Sequence, residues 1–215
     1  MKKIILFAAF SVMMMPYEAL AQRYYDQGYP FEKAHLYAGL VATLPLGGGF
    51  SGTFFHPSGY GASFSYIAFS PNATNIPSNY DPGSNLFNWF GSFSINPKDH
   101  IQCYALHAIK EFPTDGNRIR LGIETGPSFL KFDLAENFTP VADPCPTIFG
   151  CDPNYTYQEK SYQAVGFSVK GKFEWTIAQP FGLEFIAQAN LNKIRSFIAA
   201  GLVVDFGIVR EEDSY

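Results

Sequence analysis

From Arg118 to Phe206 the chain repeatedly alternates between side chains that avoid water and side chains that need it. In "AVGFSVKGKFEWTI", Phe167, Val169, Phe173, Trp175 and Ile177 share one parity, while Ser168, Lys170, Lys172, Glu174 and Thr176 share the other. "RIRLGIETG" sets Ile119, Leu121 and Ile123 against Arg118, Arg120, Gly122, Glu124 and Gly126. "FGLEFIAQANLN" sets Phe181, Leu183, Phe185, Ala187, Ala189 and Leu191 against Gly182, Glu184, Gln188, Asn190 and Asn192. "FIAAGLVVDFGIV" sets Ile198, Ala200, Leu202, Val204 and Phe206 against Ala199, Gly201, Val203 and Asp205. An extended strand puts successive side chains on opposite faces, so each segment is a strand with one oily and one polar face.

The first half follows the scheme more weakly. "HLYAGLVATL", "YGASFSYIAF" and "LFNWFGSFSI" alternate, while "HIQCYALHAIKEF" is a strand whose faces the pattern leaves unassigned. These make eight strands of roughly ten residues, the length a tilted membrane-crossing strand requires. "PLGGGFSGTFFHPS", "PNATNIPSNYDPGS" and the stretch from Leu134 to Lys160 read as long connections rich in turn formers. With the N-terminus in the periplasm, Leu134 to Lys160 faces outward. "PNATNIPSNYDPGS" then falls on the periplasmic side, where turns are normally short.

Alternation does not say which face is inside; volume does. Eight strands enclose an interior just wide enough for side chains or one small ligand. Phe167, Phe173, Trp175, Phe181, Phe185 and Phe206, from three strands alone, overfill it. The opposite face holds Gly122, Gly126, Gly166, Gly182 and Gly201, which make room for charged side chains crossing a narrow lumen. Arg118, Arg120, Lys170 and Lys172 stand on that face with Glu124, Glu174 and Glu184, and buried charges must be paired. The expectation is an ion-paired lumen, no wide pore, and an exterior of lipid-facing aromatics. Trp89, Tyr162 and Trp175 are candidates for the headgroup level. Charged residues are only 16% of the chain and aromatics 17%, consistent with strands that touch lipid.

Residues 1–21 read as a cleaved signal peptide: Lys2 and Lys3, an apolar run from Ile4 to Met15, then "ALA" before Gln22. That run is too short to span a bilayer. Residues 22–34 form an N-terminal lead, 35–209 the barrel domain and 210–215 a charged tail. Loss of the leader moves the formal charge from -4 to -5, and no basic patch suggests nucleic acid. For an exported chain, Cys145 and Cys151 in the turn-rich "DPCPTIFGCDPN" are expected to form a loop disulfide, leaving Cys103 as a small strand residue.

With its "MKK" leader ending in "ALA", eight alternating strands, "GIETGPSFLKF" and the late "AGLVVDFG" strand, the chain resembles small outer-membrane β-barrel proteins of the OmpA/OmpX type. The likeness covers Leu36 to Val209 and is one of pattern. It implies an all-β, eight-stranded antiparallel transmembrane barrel in the outer membrane. Members of that family usually end on an aromatic residue at the close of the last strand. Here Phe206 is followed by "GIVREEDSY", with Tyr215 last.

The expected function is non-enzymatic: envelope stabilisation, adhesion or envelope assembly, with lipid and other envelope proteins as partners. No cofactor or metal is implied, since Asp133, Glu136, Asp143 and Asp152 are irregularly spaced for a calcium loop. Two alternatives stay open. One is a membrane-embedded lipid hydrolase or acyltransferase, for which His56 and Ser58 are a candidate pair and His100 and His107 further bases. The other is a secreted lipocalin-like barrel that binds a small hydrophobic ligand.

Overall fold

The computed structural model describes residues 35–56, 59–83, 96–113, 119–142, 153–178 and 180–207. The expected signal peptide, the N-terminal lead and the charged tail lie outside them, as do Ser58, Trp89, Arg118, Asp143, Cys145, Cys151 and Asp152. The segment "LFNWFGSFSI", expected to be a strand, also lies outside.

Eight strands form one closed antiparallel barrel in chain order: β1 (His35–Leu44), β2 (Gly47–Phe55), β3 (Tyr60–Phe69), β4 (His100–Pro113), β5 (Ile119–Pro140), β6 (Tyr155–Ala178), β7 (Phe181–Asn192) and β8 (Phe197–Gly207). Closure runs through β1 and β8, from Tyr37 opposite Gly207 to Leu44 opposite Ala200. Closing the sheet leaves no edge with unpaired backbone groups.

Two expectations are corrected. "GGGFSGTFF" lies within a segment that reads as a long connection, but it is β2. Glycines at 47, 48, 49 and 52 fall on both faces and erase the alternation that marks the other strands. Adding β2 moves the 70–99 connection to the same end as the β5–β6 connection, and the overlong periplasmic turn disappears. That end, the loop end, also carries the β1–β2 and β7–β8 turns. The opposite turn end carries the other three connections. Secondly, Leu134 to Pro140 and Tyr155 to Lys160 are strand, not loop. Their ladder continues from Asp133 opposite Ser161 to Pro140 opposite Tyr155 and makes a ribbon that projects past the rim. Its register slips between Glu136 and Thr139, where Asn137 adopts φ 55°, a left-handed conformation that Asn tolerates.

The alternating side chains sort as the pleat demands. Leu36, Leu40, Leu44, Phe50, Phe54, Phe64, Tyr104, Leu106, Ile119, Leu121 and Ile123 are exposed on the outer surface. Phe167, Phe173, Trp175, Phe181, Phe185 and Phe206 are exposed with them. Tyr162 differs from the headgroup-level reading: it packs against the interior cluster, and its hydroxyl donates to Glu136 at 2.8 Å.

Candidate functional site: the charged lumen and its apolar cap

The interior has two storeys. Toward the loop end, Val41, Ile67, Phe69, Ile101, Cys103, Ala105, Leu130, Phe132, Ile186 and Val203 form one buried apolar cluster. This apolar half is an addition to the expected ion-paired lumen. The β4 faces resist assignment from sequence because both are apolar here: Ile101, Cys103 and Ala105 point in, Tyr104 and Leu106 point out. Cys103 is a buried thiol that accepts long contacts of 3.8 Å from the amides of Gln188 and Asn190.

Toward the turn end the interior is lined with ionisable side chains. Lys172 is its hub. Its ammonium lies 2.6 Å from Glu111 and 3.3 Å from Glu174, and it donates to the Tyr37 hydroxyl at 2.8 Å. Tyr37 in turn donates to Glu174 at 3.1 Å. The Arg120 guanidinium sits 3.8 Å from both Glu111 and Glu174. Phe55 covers Lys172 with its ring centroid 4.6 Å from Nζ, a cation–π contact. Further along the lumen, Glu124 accepts from Lys170 at 2.7 Å and from the Ser63 hydroxyl at 2.6 Å, with His107 at 3.4 Å. The Lys172 stem runs across Gly122, where an added Cβ would come within 2.6 Å of its Cε.

The structure therefore brings Arg120, Glu124, Lys170, Lys172, Glu174 and Glu184 into one buried region and adds Glu111, His107, Tyr37 and Asp205. Among the described residues this region holds three strong bases (Arg120, Lys170, Lys172) and five acids (Glu111, Glu124, Glu174, Glu184, Asp205). Glu111, and the lumen position of His107, escape sequence reading because both residues lie on β4. Their shared parity with Ile109 is the available signal, hidden by apolar residues on both faces. Asp205 takes the interior parity in the sequence, but its role there comes only from the structure. It sits over Gly39, where a Cβ would meet its carboxylate at 2.4 Å.

Above the apolar storey the mouth is crossed twice. Arg195, on the β7–β8 turn, pairs with buried Asp99 at the foot of the long connection, and Asp99 also accepts from the Ala135 amide at 3.0 Å. Phe197 meets Phe69 edge-on with centroids 5.0 Å apart. The long connection then docks onto the ribbon: Asn154 binds Asn79 and Asp81 at 2.7 Å each, and the Tyr80 ring lies 6.3 Å from that of Phe138.

The other sequence candidates scatter. His56 is on the β2–β3 turn at the turn end, accepting the Gly59 amide at 3.0 Å. His107 is buried in the lumen. His100 is at the loop-end rim on the outer surface, 2.7 Å from the Ser70 hydroxyl. Asp133, at the same rim, accepts a hydrogen bond from Ser161 that, with Lys131 at 3.4 Å, holds its carboxyl below the usual range.

A closed eight-stranded antiparallel cylinder with an aliphatic and aromatic exterior and charged residue types inside has the fold of the small outer-membrane barrels. No protein-family model matches the chain, and no curated protein does. Among solved structures, a major outer membrane protein from Thermus thermophilus is similar at a TM-score of 0.51 and 11% identity, over 81% of this chain and 98% of that one. The N-terminal β-barrel domain of Pseudomonas aeruginosa OprF gives 0.49 at 12% identity, over 83% and 99%. Ail, the attachment invasion locus protein of Yersinia pestis, gives 0.46 at 10% identity, over 81% and 96%. At 11% identity the likeness to the Thermus thermophilus protein is one of fold.

Proposed function

We propose that the chain is a non-conducting outer-membrane barrel with a structural or adhesive envelope role, anchoring a preorganised ribbon on the cell surface. The observation that carries this reading is the inversion of polarity. A soluble barrel of this size exposes its charges and hides its rings. Here Lys172 and Glu174 are at most 4% exposed while Trp175, next to them on the same strand, is 48% exposed. Only an apolar solvent rewards that arrangement. Both ends of the described chain lie at the turn end, which puts the long connection and the ribbon outside the cell when the termini are periplasmic. The docked loop and ribbon then offer a fixed surface to other envelope components.

The test is fractionation of expressing cells, with gel mobility before and after boiling and protease shaving of intact cells. The expected protein sediments with outer membranes, runs faster unboiled, and is cut only in the 70–99 and 141–154 connections. A monomer that purifies from the periplasm in plain buffer overturns the reading.

A further inference from the structure

We propose that the loop-end rim carries a serine–histidine site that cleaves acyl esters of membrane lipids, an activity beyond the structural role above. Ser70 immediately follows β3 and His100 opens β4, so two neighbouring strands deliver them to one point on the outer surface. The Ser70 Oγ lies 2.7 Å from His100 Nδ1. This is the contact that lets an imidazole take the proton from an attacking hydroxyl. Asp133 on β5 stands directly opposite His100 in the register, placing a carboxylate on the next strand. The three residues share a groove of about 280 Å³ with Leu46, Ala68 and Gln102.

The groove's position names the substrate class. It lies just above the level where the outer surface turns apolar: Ser70, His100 and Asp133 stand over a mixed row of Ala68, Gln102 and Lys131, and that row stands over Tyr66, Tyr104 and Phe129. Further down β3 and β4, Tyr66 and Tyr104 pack with centroids 4.8 Å apart, and Phe50 joins Tyr66 at 5.4 Å. An acyl chain lying on that aromatic track brings its ester carbonyl to the level of Ser70. A free, water-soluble ester gains nothing from the track.

The step balances without any further reagent than water. Ser70 Oγ bonds to the ester carbonyl carbon as its proton passes to His100 Nδ1, with the ring's other proton held on Nε2. The bond to the alcohol oxygen breaks, and that oxygen leaves with the proton from His100. Water then adds to the acyl-serine, gives a proton to His100, and releases the fatty acid as Ser70 recovers its hydrogen. The Gln102 amide supplies N–H donors on the groove wall for the carbonyl oxygen. Negative Asp133 favours the transient imidazolium.

The full chain, folded in detergent micelles, is treated with an alkyl fluorophosphonate, and the modified peptide is located by mass spectrometry. Turnover of 4-nitrophenyl palmitate and 4-nitrophenyl butyrate is measured in parallel. Label on Ser70, preference for the palmitate, and loss of both label and turnover by about a hundredfold or more in S70A and H100N are expected. Each variant must keep the fast unboiled mobility; the surface position of both residues makes this the expected result. A folded wild-type protein that takes no label at Ser70, or S70A turning over palmitate at the wild-type rate, overturns the site. Either result leaves the envelope reading standing, because fractionation tests that separately.

Discussion

Lys172 shows how much one interior side chain organises. Three partners from β1, β4 and its own strand converge on its ammonium, and its stem fills the space over Gly122. Replacing it with Met keeps the volume and removes the charge, leaving buried Glu111 and Glu174 with the more distant Arg120 as their shared cation and Glu174 with the Tyr37 hydroxyl. Breaking a buried pair in this way costs about 3–5 kcal/mol. K172M should therefore unfold at markedly lower urea in micelles, and adding E111Q should return part of the loss. A pair of glycines gives a second contrast. A Cβ at Gly39 would press on Asp205, Val203 and Ser51 at 2.4, 2.4 and 2.8 Å, whereas at Gly52 it meets nothing within 4 Å. G39A should cost about 1–3 kcal/mol by overpacking, and G52A should lie within about 0.5 kcal/mol of wild type, read from the same urea curves. Alternation alone picks out Arg120, Glu124, Lys170, Lys172, Glu174 and Glu184 as sharing one face. It cannot say that Glu111 completes the hub, because distance around a barrel is set by register.

The strands themselves are legible where two solvents meet across them. β6, β7 and β8 separate apolar from polar so sharply that face assignment follows from the letters. β2 is hidden because a strand can be made of glycine when neighbouring backbones come close: a Cβ at Gly49 would fall 1.9 Å from the Tyr66 carbonyl oxygen. The upper ends of β5 and β6 are hidden for another reason. Beyond the apolar belt both faces meet water, so the period-two signal vanishes although the ladder continues. The belt makes a prediction about β7. Phe185 packs against Phe173 at 6.1 Å and is 48% exposed on the outer surface. F185R should cost about 2–4 kcal/mol if that surface meets bilayer midplane. In a soluble barrel the same exposed arginine would be near neutral. Urea titrations in phospholipid vesicles distinguish the two.

On the proposed non-conducting reading the whole cylinder is a plugged tube, and its two storeys predict what opens it. Ion flow needs a continuous thread of water, and the charged storey alone would offer a ragged one. The apolar storey interrupts it: Ile101, Cys103, Leu130 and Phe132 are each at most 1% exposed, and the Arg195–Asp99 pair closes the mouth above them. Wild-type protein in a planar bilayer should therefore show no porin-like current steps. R195A should leave the baseline unchanged, because it frees the mouth but not the layer beneath. Its effect should instead be faster protease cleavage in the long connection, whose foot Asp99 fixes. F132A also should not conduct, since an apolar void of that size stays dry. Replacing Leu130 and Phe132 together with serine gives water polar partners within the apolar storey, and this variant should carry current. Large steady currents from the wild type would mean that the apolar side chains do not meet across the lumen.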